Sequence, residues 1–254
     1  MIYALSYALL GTVEVFFEWQ GNQRNVRNFK PMIMAHVFFW VLHLCKKLEL
    51  RTQVYFLIAI VFAWIGDILL LGSEEIHFAL GLGAFLVMQI FYILSFSQLP
   101  STANTVLRLF YVSVWVFVNW LIRDGVKDLA VPAMVYSAVL CVTATYAAEV
   151  SMKLHSDIKV ATTTTTPSSS SCIQDTAVVV ELKDKVLKGC KRLTVGSVLF
   201  LVSDCVIALT KFGVITHSSD YQAFVMVTYI LAQGLIANSF IFCVHGRGKL
   251  LKQN

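Results

Sequence analysis

The amino-acid sequence predicts an all-α, polytopic membrane protein, and two observations support this prediction: the composition and the length of the apolar segments. The 254 residues are 57% hydrophobic and 14% charged, with a mean hydropathy of +0.72. Apolar segments recur along the whole chain, and most can cross roughly 30 Å of hydrocarbon at about 1.5 Å per helical residue. Such a composition indicates that lipid surrounds most of the chain.

A bundle of about eight transmembrane helices is expected, at 2–19, 31–45, 54–72, 78–98, 105–122, 129–151, 193–212 and 221–244. Pro31 begins the short second segment, where a first-turn proline loses no helical hydrogen bond. Residues 2–19 are interpreted as a membrane helix rather than a signal peptide, because they lack a basic start and a cleavage site of small residues. One transmembrane domain thus comprises helices one to six in 1–151 and helices seven and eight, with a short tail, in 193–254.

The segment 152–192 differs in composition from the rest of the chain. It contains a run of threonines, Pro167 and a run of serines over 162–171, which predicts disorder because such residues bury too little apolar area to offset ordering entropy. Its end, 177–193, mixes valines and leucines with lysines. Two interpretations stay open: an amphipathic helix on the membrane surface or a solvated run leading into the next helix.

The basic residues predict the orientation of the chain. With eight spans, 14 of the 20 Lys and Arg residues fall on the side that holds both termini and the 152–192 loop, against six on the other. The positive-inside rule makes that side cytosolic. Without the loop the ratio is only seven to six, so the prediction depends on the loop. These residues flank apolar segments and form no continuous patch, which argues against nucleic-acid binding despite the net charge of +5.

Cysteine and histidine spacing gives no indication of a metal centre or a disulfide framework. The six cysteines include no CxxC pair, and His36 and His43 are seven residues apart rather than the four that place two ligands together on a helix. No metal is therefore expected.

Two acidic residues lie inside predicted membrane helices. Asp67 follows Gly66 and Asp204 follows Ser203, each among apolar neighbours. An ionised side chain at the bilayer centre costs about 2.5–3.5 kcal/mol on insertion scales, so intramembrane acids are candidates for function. Both helices run outward from the cytosolic side and place the acids at similar depth, which predicts a shared polar pocket.

Other polar and small residues accompany these acids. The helix after each one carries a glutamine near a tyrosine, as though one helical hairpin had been used twice. Small residues that would permit close helix approach are Gly66, Gly81, Gly83, Gly196, Ser197 and Gly234. Glu14, near Glu18 and Trp19 in the first helix, is a further candidate for the same cavity.

Several short motifs together resemble the lysoplasmalogenase family of multi-pass membrane proteins, also called YhhN-like. They are Lys30-Pro31, Gly66-Asp67, Gly81-Leu82, Phe91-Tyr92, Tyr136, the stretch Gly196 to Phe212, and Tyr229 to Gln233. The resemblance spans most of the chain. It departs at Gln89, where the family usually has a histidine, and glutamine exchanges no proton near neutral pH.

The resemblance implies hydrolysis of the vinyl ether bond of a lysoplasmalogen, a lysophospholipid, to a fatty aldehyde and glycerophospho-ethanolamine or glycerophosphocholine. Two carboxyl groups suit this chemistry, because protonation of the enol ether gives an oxocarbenium ion like that of glycoside hydrolysis. Asp67 and Asp204 are expected to divide the roles of general acid and base, in an order left open. The expected substrate-binding residues are Gln89, Tyr92, Tyr136, Ser203, Tyr229 and Gln233, with Lys30 for the phosphate.

The scheme requires water and membrane lipids but no cofactor and no nucleic acid. The resemblance implies the endoplasmic reticulum as location, and a homodimer is left open.

Two rival functions remain on sequence grounds. Paired intramembrane acids also suit a proton-coupled transporter of a small solute, and Gln89 is compatible with a catalytically inactive lipid-binding protein.

Overall fold

The structure, a computed structural model, describes residues 2–45, 51–163 and 173–251, and it is helical throughout, with no β-strand in these ranges. The α-helices are α1 (Ile2–Trp19), α2 (Gln23–Leu44), α3 (Arg51–Leu69), α4 (Glu75–Phe96), α5 (Thr105–Ile122), α6 (Ala130–Thr163), α7 (Ile173–Lys211) and α8 (Ser219–Leu251). One turn of 3₁₀ helix, Lys127–Leu129, precedes α6. The predicted all-α fold is confirmed.

Six of the helices in the described ranges, α3 to α8, are long and apolar enough to cross a membrane. The chain is therefore an integral, polytopic membrane protein, as predicted. The first two helices are not in this group: α1 carries Glu14 and Glu18, and α2 begins with Arg24, Arg27 and Lys30. That α1 and α2 also span the membrane stays a prediction.

Helix α2 begins earlier than its apolar pattern predicts, at Gln23. The Asn22 side chain caps it by accepting a hydrogen bond of 3.3 Å from the Asn25 backbone N–H, and Val26 is buried ahead of the predicted start. The first-turn assignment of Pro31 is therefore wrong: the proline lies inside the helix. Its ring nitrogen has no hydrogen to donate to the carbonyl of Arg27.

The expected disordered loop at 152–192 is also wrong over most of its length. Helix α6 continues to Thr163, and α7 already begins at Ile173. Buried apolar side chains explain the extension, since Leu154 on α6 and Val186 on α7 are 5% and 1% exposed. The segment 177–193 is the first part of α7 itself rather than a separate surface helix, whereas 164–172, most of the Thr/Ser tract, lies outside the described residues.

The bundle is organised around two helical hairpins, α3 with α4 and α7 with α8. Helix α8 also packs against α1 and α2, and α6 packs between α4 and α7. The ring of Phe56 on α3 stacks on Phe240 of α8, with centroids 4.0 Å apart. Helix α5 lies at the periphery, where its main packing partners are α6 and α7.

An ion pair between the exposed Arg108 and the buried Glu149 fixes the start of α5 against α6. Arg108 donates from Nε to Glu149 Oε1 at 2.8 Å and from Nη2 to Oε2 at 3.1 Å. The backbone N–H of Asn104 donates to the same Oε1 at 2.9 Å. Glu149 is 1% exposed, so these three donors replace the water that its carboxylate has lost.

Glycines permit close approach between some of the helices. A Cβ added to Gly196 on α7 would lie 2.9 Å from Ile236 Cγ1 and 3.1 Å from the Ala232 carbonyl oxygen of α8. A Cβ on Gly66 would meet the Phe85 ring of α4 at 2.8 Å. The close helix approach that the sequence predicts at Gly83 is wrong. Gly83 is exposed, and an added Cβ would meet nothing within 4 Å.

We expect Gly196→Ala to destabilise the bundle, because the added methyl group overlaps both a side chain and the backbone of α8. The expected loss is about 1–3 kcal/mol of unfolding free energy, measured as a lower thermal midpoint in detergent. Gly83→Ala is the matched control and should be neutral or stabilising by up to about 1 kcal/mol, because alanine favours helix. Equal midpoints for the two variants would contradict this packing.

Candidate functional site

Two aspartates line one cavity in the bundle. Asp67 lies in the last turn of α3 and is 2% exposed, and Asp204 lies on α7, partly accessible from the cavity that it lines. The charge of one acts on the other. The structure thus brings together the two acids that the sequence singled out, while their roles stay a prediction.

A tyrosine hydroxyl donates to each carboxyl group from a different helix. Tyr229 of α8 donates to Asp67 Oδ2 at 2.8 Å. Tyr136 of α6 donates to Asp204 Oδ2 in a short hydrogen bond. Both tyrosines are buried, 6% and 8% exposed. In a low-dielectric site these bonds stabilise the acids and fix the direction in which each carboxyl group points.

The cavity is large for the interior of a helical bundle. It offers about 90 Å³ to the centre of a water-sized sphere, where a single water needs about 10–15 Å³ by the same measure. Most of its walls are apolar, as at Leu82, Phe85, Val118, Leu140 and Leu201. A site with apolar walls and a few convergent polar groups is suited to an amphipathic ligand.

The cavity lies toward one end of the membrane helices. Its lining includes Leu70 just past α3, Ile122 at the end of α5 and Phe212 just past α7. Phe78 at the start of α4 completes this end, with its ring edge-on to Phe212 at 6.4 Å between centroids. This end of the cavity is therefore built from the ends of three helices and the beginning of a fourth.

Lys30 of α2 also lines the cavity, and its charge acts on Asp67. Ser203 lines it as well, although its hydroxyl donates to the Val225 carbonyl oxygen at 3.2 Å. Six of the nine predicted site residues therefore reach the cavity: Lys30, Asp67, Tyr136, Ser203, Asp204 and Tyr229.

The other three predicted binding residues, Gln89, Tyr92 and Gln233, are buried outside the cavity lining. Tyr92 donates to Gln233 Oε1 at 2.8 Å, and Gln233 Nε2 donates to Met88 Sδ at 3.8 Å. These contacts link α4 to α8. Tyr92 and Gln233 thus lie outside the lining, and their part in substrate binding stays a prediction. Both side chains are 1% exposed.

Gln89 occupies a position behind the site. It is 1% exposed and lies outside the lining, on the helix that packs against α6, which carries the Tyr136 donor to Asp204. Its backbone carbonyl oxygen accepts from Thr143 Oγ1 at 3.5 Å. Gln89 therefore does not line the cavity, and its part in the site stays a prediction.

The sequence did not predict that α5 and two cysteine thiols form part of the cavity lining. Trp115, whose Nε1 donates to the Met134 carbonyl oxygen at 3.1 Å, forms part of the cavity wall. Cys141 and Cys205 line the cavity as free thiols. The position of Cys205 beside Asp204 was the one available signal, whereas α5 has no intramembrane charge to mark it. Among the described residues, no group of three or more His, Cys, Asp or Glu side chains is placed to hold a metal.

The fold and the site define a class: a polytopic helical membrane protein with a mostly apolar cavity that holds two tyrosine-bonded aspartates. The sequence profile of the YhhN family matches residues 27–240. This chain belongs to the YhhN family, which includes lysoplasmalogenases. Comparisons with curated proteins and with solved structures gave no significant match.

We expect Tyr92→Phe to lower stability, because it leaves the buried Gln233 oxygen without its donor. The expected loss is about 0.6–1.7 kcal/mol, the range of interhelical hydrogen bonds in membranes, measured as a thermal midpoint in detergent. Tyr55→Phe is the matched control, since it removes a hydroxyl that makes no hydrogen bond to another described residue. A Tyr92→Phe variant as stable as the control would show that the pair contributes nothing.

Proposed function

We propose that this protein is a membrane-embedded hydrolase that cleaves the vinyl ether bond of lysoplasmalogens. The observation that carries the proposal is the pair Asp67 and Asp204 at one cavity whose other walls are mostly apolar. Membership of the YhhN family supports a lipid substrate of this kind. The cavity accommodates an alkenyl chain along its apolar walls and the reacting ether at its two carboxyl groups.

The proposed reaction begins with a proton from one carboxyl group to the second carbon of the vinyl ether. The oxocarbenium ion that forms is stabilised by the second carboxylate, which also takes a proton from the attacking water. Water oxygen bonds to the first carbon and gives a hemiacetal. As the bond to the glycerol oxygen breaks, the carboxyl group that took the proton from water donates it to that oxygen, and the other carboxylate takes the hemiacetal hydroxyl proton. The aldehyde and the glycerol hydroxyl are released, and both carboxyl groups return to their starting protonation states. Which aspartate is the acid is left open.

The tyrosines hold the two carboxyl groups for these transfers. Tyr229 and Tyr136 each occupy one carboxyl oxygen, Oδ2, of Asp67 and Asp204 respectively. The second oxygen of each carboxyl group is then available to the substrate or to water. Such positioning supplies a large share of the rate enhancement in acid–base catalysis.

The orientation of the substrate follows from Lys30 and the position of the cavity. Lys30 is the cation of the lining and is suited to pair with the lipid phosphate. With both termini in the cytosol, as the basic residues predict, the end of the cavity lined by Leu70, Phe78, Ile122 and Phe212 lies toward the non-cytosolic leaflet. In the endoplasmic reticulum, the proposed location, the substrate would enter from the lumenal leaflet.

The rival transporter function has less support. Alternating access commonly relies on discontinuous helices in matching halves of the chain. Helices α3 and α7, which carry the aspartates, are each continuous through their span in the described residues. An inactive lipid-binding protein is distinguished by assay, since it would bind lysoplasmalogen and release no aldehyde.

Purified protein in detergent should release a fatty aldehyde from lysoplasmalogen but not from the saturated alkyl-ether analogue, with the products identified by mass spectrometry. Only the vinyl ether can form the oxocarbenium ion by protonation at carbon. Asp67→Asn and Asp204→Asn should each reduce turnover by about 10²–10⁴-fold, the contribution of a positioned acid or base. Asp124→Asn is the control, because Asp124 is 89% exposed on a loop. Full turnover in either site variant would refute the two-carboxyl mechanism.

Gln89→His tests the position at which the family usually has histidine. Since Gln89 does not line the cavity, we expect turnover within about tenfold of the parent, below the effect of a direct acid or base. The measurement is the same aldehyde assay across pH. An increase of about 10²-fold or more would show that the parent lacks a catalytic histidine here.

A further inference from the structure

Two aromatic rings at one end of the cavity have no role in the proposed reaction. Phe78 at the start of α4 and Phe212 just past α7 both line the cavity. Their rings are nearly perpendicular, with an interplanar angle of 88°. In such an edge-on pair the electron-poor edge of one ring meets the electron-rich face of the other. The remaining ring faces are available to a positively charged partner.

The ring of Phe78 already has a cation beside it. The ammonium nitrogen of Lys211, Nζ, lies 4.6 Å from the ring centroid, within the roughly 6 Å over which a ring face attracts a cation. Lys211 is the last residue of α7 and is exposed, so its flexible side chain can also extend into water. Phe78 is half-buried and lines the cavity. The ring is therefore placed to bind an ammonium group of a ligand.

The backbone holds Phe212 at the end of the cavity. The Phe212 N–H donates to the Ala208 carbonyl oxygen at 2.9 Å, and Gly213 then adopts a φ of +74°, which ends the helix. The loop after α5 packs against this turn at Gly125, where an added Cβ would overlap the Phe212 carbonyl oxygen. The position of the second ring is thus fixed by two segments of the chain.

The helix ends favour a cation here. Helices α3, α5 and α7 all end beside this part of the cavity, and the C-terminal end of a helix carries a partial negative charge. Helix α4 begins here and contributes a partial positive charge, so three negative ends face one positive end. Arg123, a cation at the end of α5, is paired with Asp124 at 3.4 Å. The local electrostatics therefore suit a positively charged ligand group.

The length of a phospholipid headgroup matches the distance from the aspartates to the rings. Asp204 and Phe212 both line the cavity and are eight residues apart, about 12 Å at 1.5 Å per helical residue. In a choline or ethanolamine lysophospholipid, a chain of nine bonds joins the ether oxygen to the nitrogen, roughly 10 Å when extended. With the ether at the carboxyl groups, the ammonium group reaches the two rings and the phosphate lies between.

We propose that Phe78 and Phe212 form the binding site for the ammonium group of a choline or ethanolamine lysophospholipid. Lys211 occupies the ring of Phe78 in the free protein and moves into water when the ligand binds. The two cations compete whether they use one ring face or both, because each is attracted by the same ring charge. The identity of the lipid rests on the proposed hydrolase function, whereas the ammonium site is tested by binding alone.

The direct test compares two alkyl-ether lysophospholipids, one with a choline headgroup and one with the neohexyl headgroup, in which carbon replaces nitrogen. Neither is cleaved by the proposed reaction, so equilibrium binding in detergent reports affinity without turnover. Phe78→Leu should weaken binding of the choline lipid by about 3- to 30-fold relative to the neohexyl lipid, the range of cation–π attraction. The ratio of the two Kd values cancels any loss of folded protein. Phe110→Leu, 59% exposed on α5, is the matched control and should keep the parent ratio.

Lys211→Met tests the competition between the two cations. Removing the lysine ammonium should strengthen binding of the choline lipid by about 2- to 5-fold, the range for an exposed cation–π pair, and leave binding of the neohexyl lipid unchanged. Lys188→Met, in the exposed first part of α7, is the matched control and should change neither affinity.

The outcomes separate this inference from the proposed function. A parent ratio of affinities in Phe78→Leu overturns the ammonium site. Weaker binding of both lipids by Lys211→Met would assign Lys211 to the phosphate and overturn it as well. If the parent protein releases no aldehyde, the hydrolase function is refuted and the ratio of affinities still decides the ammonium site. Aldehyde release with an unchanged ratio refutes the ammonium site alone.

Discussion

The site depends on one constraint: two carboxyl groups inside the membrane must be solvated by the protein rather than by water. Tyr229 and Tyr136 provide this solvation by hydrogen bonds to Asp67 and Asp204, each from a helix other than the one that carries the acid. An unsatisfied polar group in hydrocarbon costs several kcal/mol. The two hydrogen bonds therefore couple the chemistry of the site to the arrangement of α3, α6, α7 and α8.

The packing of the helices also determines the surroundings of the two carboxyl groups. Gly196 lets α7 approach α8 closely, and Gly66 lets the ring of Phe85 lie against α3 next to Asp67. The Tyr92–Gln233 hydrogen bond joins α4 to α8 just outside the cavity. Helices α3, α4, α7 and α8 are thus in close contact, whereas α5 lies at the periphery of the bundle. The cavity between them has mostly apolar walls and is polar at the two aspartates.

Sequence patterns predicted most of this fold because hydropathy and intramembrane charge report directly on lipid exposure. The two aspartates were identified because an ionised side chain has a high free-energy cost inside the hydrocarbon. The start of α2 and the long extensions of α6 and α7 were missed, because there a cap at Asn22 and long-range burial of Leu154 and Val186 outweigh local composition.

The sequence also did not show which face of each helix contacts which neighbouring helix. Gln233 was expected to bind substrate, yet it faces Tyr92, because the rotation of each helix is set by packing with its neighbours rather than by its own pattern. Gly83 was expected at a helix contact and is exposed for the same reason. Partners across a bundle, such as Tyr229 for Asp67, become known only when the helices are assembled.

The most direct test of the central claim is an experimental structure with the non-hydrolysable alkyl-ether lysophospholipid bound. We predict that the ether oxygen lies between the carboxyl groups of Asp67 and Asp204, with the alkyl chain along the apolar wall and the phosphate near Lys30. A ligand bound elsewhere on the bundle, or an ether group that contacts neither carboxyl, would contradict it.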